Sequence, residues 1–95
     1  MSMRVEWYPQ KAEANELKHG VSFSEAATVL ADPLSITLPD PDHSATEERL
    51  LLLGQTSYGR FILASLTERG DAVRLISARP MTTSERRTYE REIGR

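Results

Sequence analysis

The chain has 95 residues, 39% hydrophobic and 27% charged, a composition expected to fold as one domain (1–95) around a modest core rather than stay disordered. It has no cysteine, which excludes disulfides and thiolate metal sites, and its longest apolar run, Leu50 to Leu53, is too short to cross a bilayer. The net charge of −2 hides an asymmetry. Residues 1–48 hold three cations and nine acids, whereas residues 49–95 hold nine cations, all arginine, and five acids. The second half can therefore present a phosphate-binding face or a solvated surface of mixed ion pairs. The N-terminus shows no basic segment followed by an apolar one, so the expected location is the cytoplasm, with no membrane partner.

Val5 to Tyr8 is a short β-prone segment ended by Pro9, which suits the first position of a helix. Gln10 to Lys18 has no β-branched residue and predicts that helix, with Gly20 in the left-handed position that closes it. Ser22 and Glu25 read as a capping box for a second helix. Phe23, Ala26, Ala27 and Leu30 share one face of it, and Asp32-Pro33 ends it. Leu34 to Leu38 alternates weakly as a strand and leads into the stiff acidic loop Pro39-Asp40-Pro41-Asp42-His43-Ser44. Arg49–Gln55, Arg60–Thr67 and Ala72–Arg79 predict three further strands punctuated by Gly59 and Gly70. Thr82 and Glu85 form a second capping box, which opens a charged helix running to about Ile93. The expected fold is α+β: a short N-terminal strand, two helices, a four-stranded antiparallel meander and a C-terminal helix, with the helices against one sheet face.

The segment Thr67 to Val73 predicts a tight hairpin whose two-residue turn is either Arg69-Gly70 or Gly70-Asp71. Either choice puts Arg60 and Arg79 on one sheet face, with Arg74 on the other, near Ser65. A three-residue loop would separate Arg60 from Arg79. Like charges so close are mildly unfavourable unless an anion such as phosphate lies between them.

Several stretches together resemble one family. They are Trp7-x-Pro9-x-Lys11, Asn15, Lys18-His19-Gly20-Val21-x-Phe23-x-x-Ala26, Pro39 to Ser44 with Glu48-Arg49, Thr67 to Asp71, Arg74-x-Ile76-Ser77-Ala78-Arg79, and Glu85-Arg86-Arg87-x-Tyr89-Glu90. In this order and spacing they resemble the BrnT-type toxins of bacterial type II toxin–antitoxin modules. The resemblance implies a RelE-like α+β fold and a metal-independent endoribonuclease that needs no cofactor and slows translation and growth. It also implies a cognate antitoxin, BrnA-like and DNA-binding, through which alone the toxin would meet operator DNA. The chain departs from the family at Tyr8, where an aspartate often stands before the proline, and at Pro80-Met81, in a region often more basic.

RNA carries its own nucleophile, the 2′-hydroxyl, so cleavage without metal needs a proton acceptor or positioning group, cations on the phosphoryl oxygens and a proton donor for the leaving oxygen. His19 is the natural proton carrier and, equally, a plain helix C-terminal residue. Lys18 stands beside it as a candidate phosphate contact. Arg49, Arg60, Arg74 and Arg79 are candidates for phosphate binding and charge stabilisation. Arg79 leads because it ends a strand beside a predicted helix N-terminus, where anions are favoured. Glu68 is a candidate base or a residue flanking the hairpin, and Tyr89 either stacks on a base or packs in the core. His43 with Asp40 and Asp42 supplies only one imidazole, too little for an expected metal site.

Overall fold

The computed structural model describes residues 4–43 and 47–94. Arg4–Glu6 forms β1, Pro9–His19 helix α1 and Phe23–Ala27 helix α2, which tightens into a 3₁₀ turn over Thr28–Ala31. Ile36–Pro39 forms β2, Leu50–Gln55 β3, Phe61–Arg69 β4, Ala72–Pro80 β5 and Thr83–Glu92 helix α3. A short 3₁₀ turn, Pro41–His43, occupies the acidic loop, whose last predicted residue, Ser44, lies outside the described residues. The five strands lie in the order β1-β5-β4-β3-β2, with β2 to β5 as the expected antiparallel meander and β1 added parallel to β5.

Local chemistry accounts for the helix ends. Pro9 opens α1, and Tyr8 before it gives no side-chain cap. Gly20 closes α1 at φ 71°, with its amide on the Glu16 carbonyl. Thr82 and Glu85 make the full capping box of α3. The box expected at α2 is only half formed. The Ser22 hydroxyl accepts from the Glu25 amide, but the Glu25 carboxylate does not reach back. It meets the Arg60 guanidinium and the Thr56 hydroxyl instead. A two-point charge-assisted pair outcompetes a single bond to a backbone amide.

The helices do not all lie on one face, as expected from the sequence, but on both. Val21, Phe23, Ala26 and Val29 pack with Leu52, Ile62, Ala64, Leu66, Val73, Leu75 and Ala78 to form the main core. Tyr89 of α3 packs with Leu53 and Leu63 on the opposite face. The alternation of strands β3 to β5, apolar on both sides at this end, requires a cover on each face. Burying a side chain such as Phe23 or Ile62 stabilises the fold by about 1.5–3 kcal/mol each.

The hairpin turn is Gly70-Asp71, with Arg69 opposite Ala72. Farther along, Ser65 pairs with Ser77 while Leu66 pairs with Leu75, so Ile76 is an extra, bulged residue. That one residue changes the parity of the rest of β5. Arg79 falls opposite Leu63, on the face away from the main core, and so does Arg74, opposite Thr67. Arg60 reaches Glu25 of α2 on the other side. The expected pairing is thereby reversed: Arg74 and Arg79 share a face, and Arg60 is the one set apart.

Candidate nucleic-acid cleft

Helix α3 covers only one end of its sheet face. The other half carries half-buried Arg49, Ser65, Ser77 and Arg74 around buried Thr67, and Arg79 borders it on the α3 side. Arg49 directly precedes Leu50, which pairs with Leu66, so it sits beside Thr67, and Thr67 in turn faces Arg74. Two guanidinium-bearing positions thus flank one threonine at a backbone separation of about 10 Å, two strand spacings. The Thr67 hydroxyl donates to the Glu48 carbonyl at 2.8 Å, which holds the start of β3 in place.

A concavity of about 220 Å³ opens on this surface, lined by Asp40, His43, Arg49, Leu51, Leu63, Ser65, Ile76 and Ser77. A second, of about 240 Å³, is lined by Lys11, Ala14, Asn15, Lys18, His19, Ile76 and Ser77. The bulged Ile76 and its neighbour Ser77 belong to both, so the end of α1 and the acidic loop face a shared floor. Asn15 fixes this arrangement by bonding the outer edge of β5 at Ala78. Lys18 and His19 fill the last turn of α1, where the helix dipole favours cations. Opposite, the Pro41–His43 turn is tied to β3 by the Asp40 amide on the Arg49 carbonyl at 3.0 Å. His43 Nδ1 lies 3.0 Å from an oxygen of Asp40. Among the described residues no group of three or more His, Asp or Glu side chains could hold a metal ion.

The remaining sequence candidates sit as follows. Arg79 makes two bonds of 2.7 Å to Glu85, whose carboxylate also accepts from the Thr82 amide. The helix N-terminus picked out for an anion therefore holds one from the chain itself. The Arg79 guanidinium pulls the Glu85 carboxyl down to about 2 against the cost of partial burial. Arg60 pairs with Glu25 and also donates to the Gly20 carbonyl, so it clamps α2 and the α1 cap. Its hydrogen bonds lower the Glu25 pKa. Arg74 lies 4.9 Å from the Tyr8 ring centroid and 3.9 Å from a Glu6 oxygen. Glu68 is exposed near the hairpin end, opposite Val73. Tyr89 is 2% exposed and packs edge-on to Phe61, which removes its ring from any stacking surface.

The structure thus sets Lys18 and His19 on one concavity and Arg49 on the adjoining one, holds Arg74 on the same sheet face against Tyr8 and Glu6, sets Arg79 at the margin, and takes Arg60, Glu68 and Tyr89 elsewhere. His43, Ser65 and Ser77, which the sequence reading did not single out for RNA, also line this concavity. His43 had a signal, its i,i+3 spacing from Asp40 in a proline-stiffened loop, whereas the two serines reach one face only through the bulge.

A mixed five-stranded sheet with helices on both faces is an α+β fold shared with a crystal structure of the Brucella abortus ribonuclease toxin, BrnT. The two are 24% identical, with a TM-score of 0.68 over 86% of this chain and 100% of that one. Residues 7–85 match the family model of the ribonuclease toxin BrnT of type II toxin–antitoxin systems. The chain belongs to that BrnT ribonuclease toxin family. No curated protein sequence matches it. No helix among the described residues is long and apolar enough to cross a membrane.

Proposed function

We propose that this chain, acting as a single cytoplasmic domain, is the toxin of a type II module: a metal-independent endoribonuclease that cuts RNA through attack of the 2′-hydroxyl on the adjacent phosphorus. A cognate DNA-binding antitoxin neutralises it and carries it to operator DNA. The observation that supports this reading is the pair of adjoining concavities that share Ile76 and Ser77, one lined by Lys18 and His19 and the other by His43 and Arg49, with Arg74 on the same sheet face beside Thr67. Like charges so placed are stabilised by a polyanion laid between them. Arg49 and Arg74 bind the phosphate, Lys18 adds a point charge at the edge, and the imidazoles move protons.

The test is incubation of the purified chain with RNA in EDTA, followed by end-group analysis. The expected products carry 2′,3′-cyclic phosphate and 5′-hydroxyl ends, and adding the antitoxin stops their formation. Intact RNA with a folded protein would favour a second reading, an antitoxin-binding module with little catalysis. One feature speaks for that reading: Arg60 and Arg79 are both engaged by carboxylates in two-point pairs.

A further inference from the structure

We propose that His43, held by Asp40, is the catalytic base of the cleft and accepts the 2′-hydroxyl proton of an RNA strand lying over Ser65 and Ser77. The inference rests on the ribonuclease reading and deepens it by naming a catalytic residue.

A carboxylate only accepts hydrogen bonds, so Asp40 at 3.0 Å from Nδ1 requires the proton on that nitrogen. Nε2 is then the ring's acceptor. The side chain of Asp40 is 14% exposed and that of His43 is 66% exposed, so a sheltered carboxylate presents an accessible imidazole. A casual surface pair does not look like this, because both partners are then solvated and mobile. Here Pro39 and Pro41 fix the backbone on either side of Asp40, and the Asp40 amide ties the turn to Arg49. The dyad also lines the same concavity as Arg49, Ser65 and Ser77. Asp40 is a positioning residue: it sets the tautomer and stabilises the imidazolium that forms.

In the step itself, His43 Nε2 takes the proton from the 2′-hydroxyl as that oxygen bonds to phosphorus. The bond from phosphorus to the 5′-oxygen breaks, its electron pair leaves on that oxygen, and protonated His19 supplies the proton. The products are a 2′,3′-cyclic phosphate and a 5′-hydroxyl, with His43 protonated and His19 neutral; both reset by exchange with water. The charged groups that share the concavity with His43 are Asp40 of its own turn and Arg49, next to β3, while Lys18 and His19 of α1 line the adjoining concavity, which meets this one at Ile76 and Ser77.

The experiment uses the full chain with two short unstructured oligoribonucleotides, one ordinary and one with sulfur in place of the bridging 5′-oxygen at a single linkage. A departing thiolate needs no proton, so sulfur rescues loss of an acid but not of a base. His43→Gln should lower kcat/KM by about 10²-fold or more on both substrates with an unchanged melting temperature. The His19→Gln defect should be largely restored by sulfur. Asp40→Asn should lose less than His43→Gln and, like it, gain nothing from sulfur, because Asp40 acts through the base. Wild-type rates in His43→Gln, or rescue of that variant by sulfur, would overturn the assignment of His43 while leaving the ribonuclease reading intact. Failure of the wild-type chain to cleave either substrate would overturn the ribonuclease reading itself.

Discussion

Asn15 bonds both the amide and the carbonyl of Ala78, at 3.0 and 2.8 Å, although 63 positions separate the two residues. Its amide also donates to the Val21 carbonyl at 3.0 Å. A side chain of α1 thus takes the place of a neighbouring strand where β1 has ended, and it holds the Lys18-His19 corner against β5. Asn15→Ala leaves the Ala78 amide and carbonyl buried without these partners. At about 1–3 kcal/mol per orphaned group, the expected loss is about 2–4 kcal/mol in urea unfolding. Asn15→Asp should do nearly as badly, since a carboxylate cannot donate to the Val21 and Ala78 carbonyls.

Arg60 is predicted to matter for folding rather than for RNA. Its bonds to Glu25 and Gly20 join β4 to α2 and to the α1 cap. Replacing it by Met should cost about 1.5–3 kcal/mol. Cleavage per folded molecule should stay at the wild-type rate. A normal melting temperature with reduced cleavage would place Arg60 in RNA binding instead.

The Arg79–Glu85 pair predicts an acid-sensitive contribution to stability. The Glu85 carboxyl is depressed from 4.5 to about 2, chiefly by its hydrogen bonds to Arg79. A depressed carboxyl stabilises the fold above its unfolded pKa, and the contribution fades as pH falls from about 4.5 towards about 2. Glu85→Gln should lower stability at pH 7 by about 1–2 kcal/mol after allowance for solvent screening. It should also flatten the fall in stability between pH 5 and pH 2, read from melting temperatures across that window.

Gly54 is predicted to tolerate no side chain. A Cβ there would lie 2.7 Å from Val29 Cγ1, 2.9 Å from Asp32 Oδ2 and 3.0 Å from Ser35 Cβ. Asp32 cannot simply withdraw, because the same oxygen accepts from the Gln55 amide at 2.8 Å. Gly54→Ala should destabilise the chain by about 1–3 kcal/mol through overpacking, measurable by chemical denaturation.

What could be read from the residues was local. Gly20 as a helix stop, the Thr82-Glu85 cap and the meander all follow from chemistry within a few positions. What could not be read depended on distant partners. Nothing in the neighbourhood of Ile76 marks it as bulged, yet that one residue moves Arg79 to the face of Arg74. Glu25 looked like a cap residue because Ser22 is near in sequence, and it turned to Arg60, 35 positions away. The helix start beside Arg79, read as a place for a phosphate, holds the chain's own carboxylate. Its occupant, Glu85, was in view only as a cap residue.

The rims of the sheet have a consequence for behaviour at high concentration. On one side, among the described residues, β1 spans only Arg4–Glu6, and beyond it Asn15 saturates the backbone of Ala78. On the other, β2 is four residues long and ends in Pro39, which has no amide to offer. Neither rim gives a foreign strand a long ladder to extend, so this small sheet is guarded against self-templated polymerisation into fibrils.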